Sequence, residues 1–202
     1  MPRDHELVRS LSAFIRGAGR NPYKQAEAAF NRLITLLTPV DDISNIDAPT
    51  GLAAGEANAF TYATAFVAAL RGNGIPARPV AGVLVMDDRL VRHYWAEFYL
   101  YGIGWVPVDA AAADDIHGIL SLSAEDTATR QSQLQPSDFF ASLPPDRVAF
   151  SRGVLDTRSM IPESTRVQVP EMYFLAEHHE EVAGDRSSYR FVWRDLRLLG
   201  AH

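Results

Sequence analysis

The chain has 202 residues, of which 47% are hydrophobic and 22% charged, with a net charge of −6 and no cysteine. Its size suits one domain, residues 1–202, with a substantial core, and its composition is that of an ordinary soluble globular protein. The acidic balance, with no basic stripe, argues against a nucleic-acid partner, and the missing cysteines exclude disulfides, thiolate metal sites and a cysteine nucleophile.

The first residues, MPRDHELVRS, are too polar for a signal peptide. A chain trimmed of its leader would look the same, so localisation stays open between cytoplasmic and exported. No run of eighteen apolar residues is present, which predicts no membrane span. Leu7, Leu11, Phe14 and Ile15 recur at helical spacing and stop at Gly17 and Gly19. Asn21-Pro22 then starts a second helix, an N-cap with proline at the first helical position. Its apolar stripe runs through Tyr23, Ala26, Phe30, Leu33, Ile34 and Leu37. These N-terminal helices, within residues 5–38, carry no evident chemistry. Thr38–Gly55, with two prolines and several Asp, Asn and Ser residues, reads as a long loop leading into the core.

Residues 55–109 form that core. Asn58 to Arg71 is rich in alanine, with larger residues at Phe60, Phe66, Val67 and Leu70, as suits a helix surrounded on several sides. Gly72 and Gly74 supply its stop. Three runs of β-type composition follow, Arg78–Met86, Val91–Leu100 and Trp105–Asp109, separated by short polar or glycine-containing gaps. They predict an antiparallel meander. After Asp109, residues 110–146 read as a loose excursion or a short helical insert around Ala124–Gln133. Strand composition returns at Arg147–Ser151, Arg166–Leu175 and Tyr189–Leu199, so that C-terminal strands within 147–199 would extend the sheet.

Two polar residues on the meander carry the chemistry. Period-2 alternation puts His93, Trp95, Glu97 and Tyr99 on one face. Asp109 stands sixteen positions after His93, and a four-residue turn between the strands can bring its carboxylate beside the imidazole. An Asp bonded to one ring nitrogen fixes the tautomer and leaves the other nitrogen as a base. The start of the alanine-rich helix is where such a pair would want a nucleophile, because a helix N-terminus depresses a thiol pKa and offers N–H groups to an oxyanion.

GNGIPARPVAGVLV, RHYWAEFYL and GIGWVPVDA together resemble the transglutaminase-like superfamily. Its pattern is a Cys-led helix ending LR-x-x-GIPAR, then H-x-W-x-E, then GW-x-x-x-D. The resemblance implies an α+β, papain-like fold, with helices packed on an antiparallel sheet. It makes His93 the catalytic histidine, Asp109 the triad acid, and Trp95 and Glu97 their companions. Trp95 and Asn58 become the expected substrate-binding side chains. The family cysteine falls on Ala59, a departure that leaves the triad without its attacking atom. The C-terminal stretches RVAFSRG and HHEEVAG are similar to a Cys-less bacterial subgroup of such proteins.

No other residue supplies the missing chemistry. Thr61 lies two positions beyond Ala59, about 200° round the helix, and points elsewhere; Thr64 is a turn and a half on, and a neutral hydroxyl needs a well-aligned base. His178-His179-Glu180-Glu181 is no metal site, since adjacent strand residues face opposite ways and no H-E-x-x-H spacing exists. His5, His117 and His202 are isolated. The sequence thus implies no metal and no cofactor.

The family chemistry is acyl transfer, in which a thiolate attacks an amide and the acyl-thioester passes to water or an amine. Loss of a nucleophile from such a unit costs about a million-fold in turnover. Three readings follow. The first is a non-catalytic transglutaminase-like domain that binds a peptide or protein. The second is a Cys-His-Asp peptidase, amidase or transglutaminase inactivated by a Cys-to-Ala change, and the residue encoded at position 59 of the natural gene separates it from the first. The third is a purely structural domain whose cleft has closed. Substrate and oligomeric state are left open.

Overall fold

The computed structural model describes residues 4–40, 47–86, 89–114 and 134–153. Its helices begin where side chains can satisfy the first free N–H groups. Asn21 caps α2 (Pro22–Leu36) by accepting from the Tyr23 N–H, and Asn58 caps α4 (Ala59–Gly72) by accepting from the Thr61 N–H at 3.0 Å. The remaining helices are α1 (Glu6–Arg16), α3 (Ala48–Ala54) and the single turn α5 (Ala110–Asp114).

α4 is the hub, buried on every side from Thr61 to Leu70. Its alanines let α1 and α2 close on it, and Gly72 is so near α1 that an added Cβ would lie 2.3 Å from Ser12 Oγ. At its C-terminus Asn73 ties three helices together. Its Nδ2 donates to the Ser12 carbonyl and to Gln25 Oε1, and its Oδ1 accepts from Arg16. Against the helices lies a four-stranded antiparallel sheet, ordered β5 (Gly104–Val108), β4 (Arg89–Leu100), β3 (Ala77–Met86), β6 (Arg147–Arg152). Its helix-facing side chains include Ala96, Phe98, Val106 and Val108, where Phe98 packs edge-on against Phe66 and stacks with Phe140. Full burial of a ring of that size stabilises by roughly 2–3 kcal/mol.

The mixture of helices and antiparallel sheet is the α+β class expected, and the helices and the three meander strands fall within a residue or two of their predicted bounds. Two stretches differ. Thr38–Gly55 is not one long loop, because β1 (Thr38–Pro39) and β2 (Glu56–Ala57) pair in parallel and α3 stands between them. Pro49 reads as a breaker, yet in a first helical turn its missing N–H has no intrahelical partner to lose. Asp47 caps that turn, and Gly55, at φ 72°, ends the helix in the left-handed region. The alanine run after Asp109 is likewise no loose excursion but α5, buried against the core. The expected helical insert at 124–133, the strands at 166–175 and 189–199, and the His178–Glu181 cluster lie outside the described residues.

Candidate functional site

The β3–β4 pairing is regular from Ala77 to Met86, so side chains alternate without interruption along β4. Ala96 and Phe98 pack with the helices, while His93, Trp95, Glu97 and Tyr99 take the other face. Gly82 stands opposite His93, and the Trp95 indole lies across it. A Cβ at position 82 would sit 2.8 Å from Trp95 Cη2 and 2.0 Å from the Val148 carbonyl oxygen. The ring of Trp95 is nearly parallel to that of His93, with centroids 6.4 Å apart.

β5 ends at Val108 and the chain turns into α5 at Asp109, so the Asp109 carboxylate is held from two directions. One oxygen, Oδ1, caps α5 by accepting from the Ala112 N–H at 3.0 Å. The other, Oδ2, lies 2.7 Å from His93 Nε2. Both residues are only 1% exposed. The Nε2–H tautomer donates to that carboxylate and leaves Nδ1 as the basic nitrogen.

A third group completes the cluster. Arg147, at the start of β6, donates from Nη2 to the same Asp109 oxygen at 2.9 Å. Its Nη1 reaches Asp146 and the Pro144 carbonyl, and its guanidinium sits over the Phe139 ring at 5.6 Å. The Nε of Arg147 is buried without a hydrogen-bond partner among the described residues. Burial alone would push the Asp109 carboxyl up. The charge and hydrogen bond of His93, the charge of Arg147 and the Ala112 N–H outweigh it and hold Asp109 down to about 2. Asp109 is therefore ionised throughout the physiological range and shared between two cationic or donor groups.

Ala59 is the first residue of α4 and packs against the main core. The next residue, Phe60, meets Tyr94 edge-on at 5.6 Å, so the first turn of α4 lies at the His93 end of β4. Asn58 holds that turn. Its Oδ1 accepts from both the backbone N–H and the hydroxyl of Thr61, each at 3.0 Å. Thr61 is fully buried and Thr64 bonds back to the Phe60 carbonyl at 2.8 Å. Glu97 is paired with Arg78 at 2.6 Å, and Arg78 stacks over Trp105 at 3.9 Å. The seam lined by Tyr62, Phe66, Trp95, Ala96 and Val108 has no room for a water molecule.

Sequence reasoning missed Arg147. Its only signal is a cation opening the RVAFSRG run, and nothing local says that β6 pairs with β3 in a register that lets this side chain reach Asp109. Among the described residues no group of three or more His, Cys, Asp or Glu side chains could hold a metal ion. Among them also, no helix is long and apolar enough to cross a membrane.

No curated protein matches the chain. Among solved structures it is similar to the periplasmic domain of TgpA from Pseudomonas aeruginosa, with 23% identity over 56% of this chain and 44% of that one, at a TM-score of 0.47. A candidate cysteine protease from Cytophaga hutchinsonii aligns with 21% identity over 52% of this chain and 36% of that one, at a TM-score of 0.46. A structure described as a TGase gives 18% identity, 52% and 30% coverage and a TM-score of 0.44. The matched part spans less than half of each of those chains. The model of the transglutaminase-like superfamily matches residues 9–110, from the N-terminal helices through the His93 and Asp109 strands. The chain belongs to the transglutaminase-like superfamily.

Proposed function

We propose that this protein is a non-catalytic transglutaminase-like domain, which acts by binding a peptide or protein and not by acyl transfer. The carrying observation is that the chain has no cysteine and places alanine at position 59, where the family pattern has its nucleophile. The state of the remaining pair supports the same reading. His93 and Asp109 are each 1% exposed, and Asp109 is already engaged by Arg147 and by the start of α5. A base that substrate cannot reach, oriented by a carboxylate that has other partners, serves the fold better than it serves chemistry. The sealed pair equally favours a purely structural role, and the two readings part only on binding.

The test restores the missing atom. Ala59→Cys is alkylated across a range of pH, with Ala59→Cys/His93→Ala as control, and both are assayed on a generic acyl ester. The expected result is a thiol whose pKa is set by the α4 N-terminus alone, unchanged by His93→Ala, with no turnover. A depressed thiol pKa that depends on His93, accompanied by ester hydrolysis, would overturn the sealed-site argument and show that only the nucleophile is missing. A cysteine encoded at position 59 of the natural gene would overturn the reading itself in favour of a cysteine-dependent peptidase, amidase or transglutaminase.

A further inference from the structure

Four of the seven large apolar side chains exposed among the described residues sit on one hairpin: Tyr99 at 38%, Tyr101 at 98%, Ile103 at 75% and Trp105 at 41%. The hairpin is rigidly built. Gly102 and Gly104 take φ of 80° and 107°, which only glycine adopts readily, and the Ile103 N–H closes the turn on the Leu100 carbonyl at 3.1 Å. Behind the turn, Trp105 packs edge-on against Tyr99 at 5.5 Å and lies under the Arg78 guanidinium. Such rigid aromatic groups backed by arginine are the usual anchors of protein interfaces.

The charge on this face runs against that of the chain. Arg78 and Arg152 share a single carboxylate, Glu97, which leaves a local excess of one positive charge on a protein of net charge −6. Arg152 is 53% exposed in its side chain and held to Glu97 only at 3.4 Å, so its remaining donors are open to an incoming anion. The strand edge adds a backbone contact. Along β5 the Pro107 carbonyl and the Asp109 N–H point outward, to Ala141 and Phe139, and the same alternation sends the Trp105 N–H and C=O outward too.

We infer that the β4–β5 hairpin is a docking surface for an extended peptide that carries a carboxylate beside an aromatic or branched aliphatic side chain. The carboxylate meets Arg152 and Arg78, the apolar side chain covers Tyr101 and Ile103, and the backbone adds a pair at Trp105. Pro107 has no N–H, so the edge cannot be extended into a long added strand. This inference rests on the binding role proposed above and gives it a place.

A display library of random linear dodecapeptides is panned against the whole chain. Enriched peptides are then resynthesised and their affinities measured for the wild type, Tyr101→Ser/Ile103→Ser and Arg152→Glu. Both variants change exposed positions, so folding is not at stake. The expected result is a consensus of Asp or Glu next to an apolar residue, weakened by salt and by roughly tenfold or more in each variant. Peptides that bind both variants as tightly as the wild type would leave a binding domain standing and overturn this surface. Failure to enrich any peptide would overturn both. Binding of phosphatidylserine vesicles, or self-association, that depends on the same residues would give the patch another occupant and equally overturn the inference. The loss of acyl-transfer chemistry is judged separately, by Ala59→Cys.

Discussion

Asp109→Asn removes one charge and almost no volume, so its effect isolates what the buried carboxylate does. In the folded protein the Asp109 carboxyl is lowered from 3.8 to about 2. At about 1.4 kcal/mol per pH unit that shift corresponds to about 2 kcal/mol of stability. Because the folded value is the lower one, this contribution is complete above the unfolded value, near pH 4. It is lost as pH falls through 2. Asparagine can still accept from the Ala112 N–H, but it leaves the Arg147 cation buried with only Asp146 as a carboxylate partner. Breaking a buried pair from one side costs about 3–5 kcal/mol. Urea unfolding at neutral pH should therefore show the variant about 3–5 kcal/mol less stable. Repeated between pH 4 and pH 2, it should show the gap narrowing by about 2 kcal/mol. A gap that stays constant from neutral pH to pH 2, or one below about 1 kcal/mol at neutral pH, would refute the ion-cluster argument.

Three further substitutions test other contacts. Arg147→Met leaves Asp109 with His93 and the Ala112 N–H but no arginine partner, and Asp109→Asn/Arg147→Met should be less destabilised than the sum of the single changes, by about 1–3 kcal/mol in a double-mutant cycle. Gly82→Ala drives a methyl group into the Val148 carbonyl and the Trp95 ring, and should cost about 1–3 kcal/mol, with an altered near-UV circular dichroism from the indole. Asn58→Ala removes the N-cap of α4 and should lower stability by about 1–2 kcal/mol, whereas Asn58→Asp, which keeps the acceptor, should lower it far less in thermal melts.

The meander and the core helix were legible because their signals are local. Alanine density, glycine stops and period-2 alternation each reflect contacts within one element or with the next, so Asn58–Arg71 and the strands through Asp109 could be bounded closely. The pairing of His93 with Asp109 followed from a short turn and adjacent strands. α3 and α5 were hidden for an opposite reason. A proline in the first turn of α3 reads as punctuation, and α5 is a run of alanines whose N-cap, Asp109, also matches the acid of the family pattern. Arg147 could not be read at all, because its placement depends on β6 crossing to the far side of β3. That is a long-range register, and no nearby residue announces it.

Asp109 has structural duties that do not depend on catalysis. Were His93 its only partner, the carboxylate would be a buried charge tied to a single imidazole. Instead the same carboxylate starts α5 through Oδ1 and neutralises Arg147 through Oδ2. α5 in turn buries four alanines in the core, so the acid is tied to packing on the helix side and to β6 on the other. Its removal would unsettle both. Packing and charge pairing thus hold the Asp109 carboxylate in place, and with it the hydrogen bond that orients His93. In this chain the His93–Asp109 bond is therefore accounted for by packing and charge pairing alone.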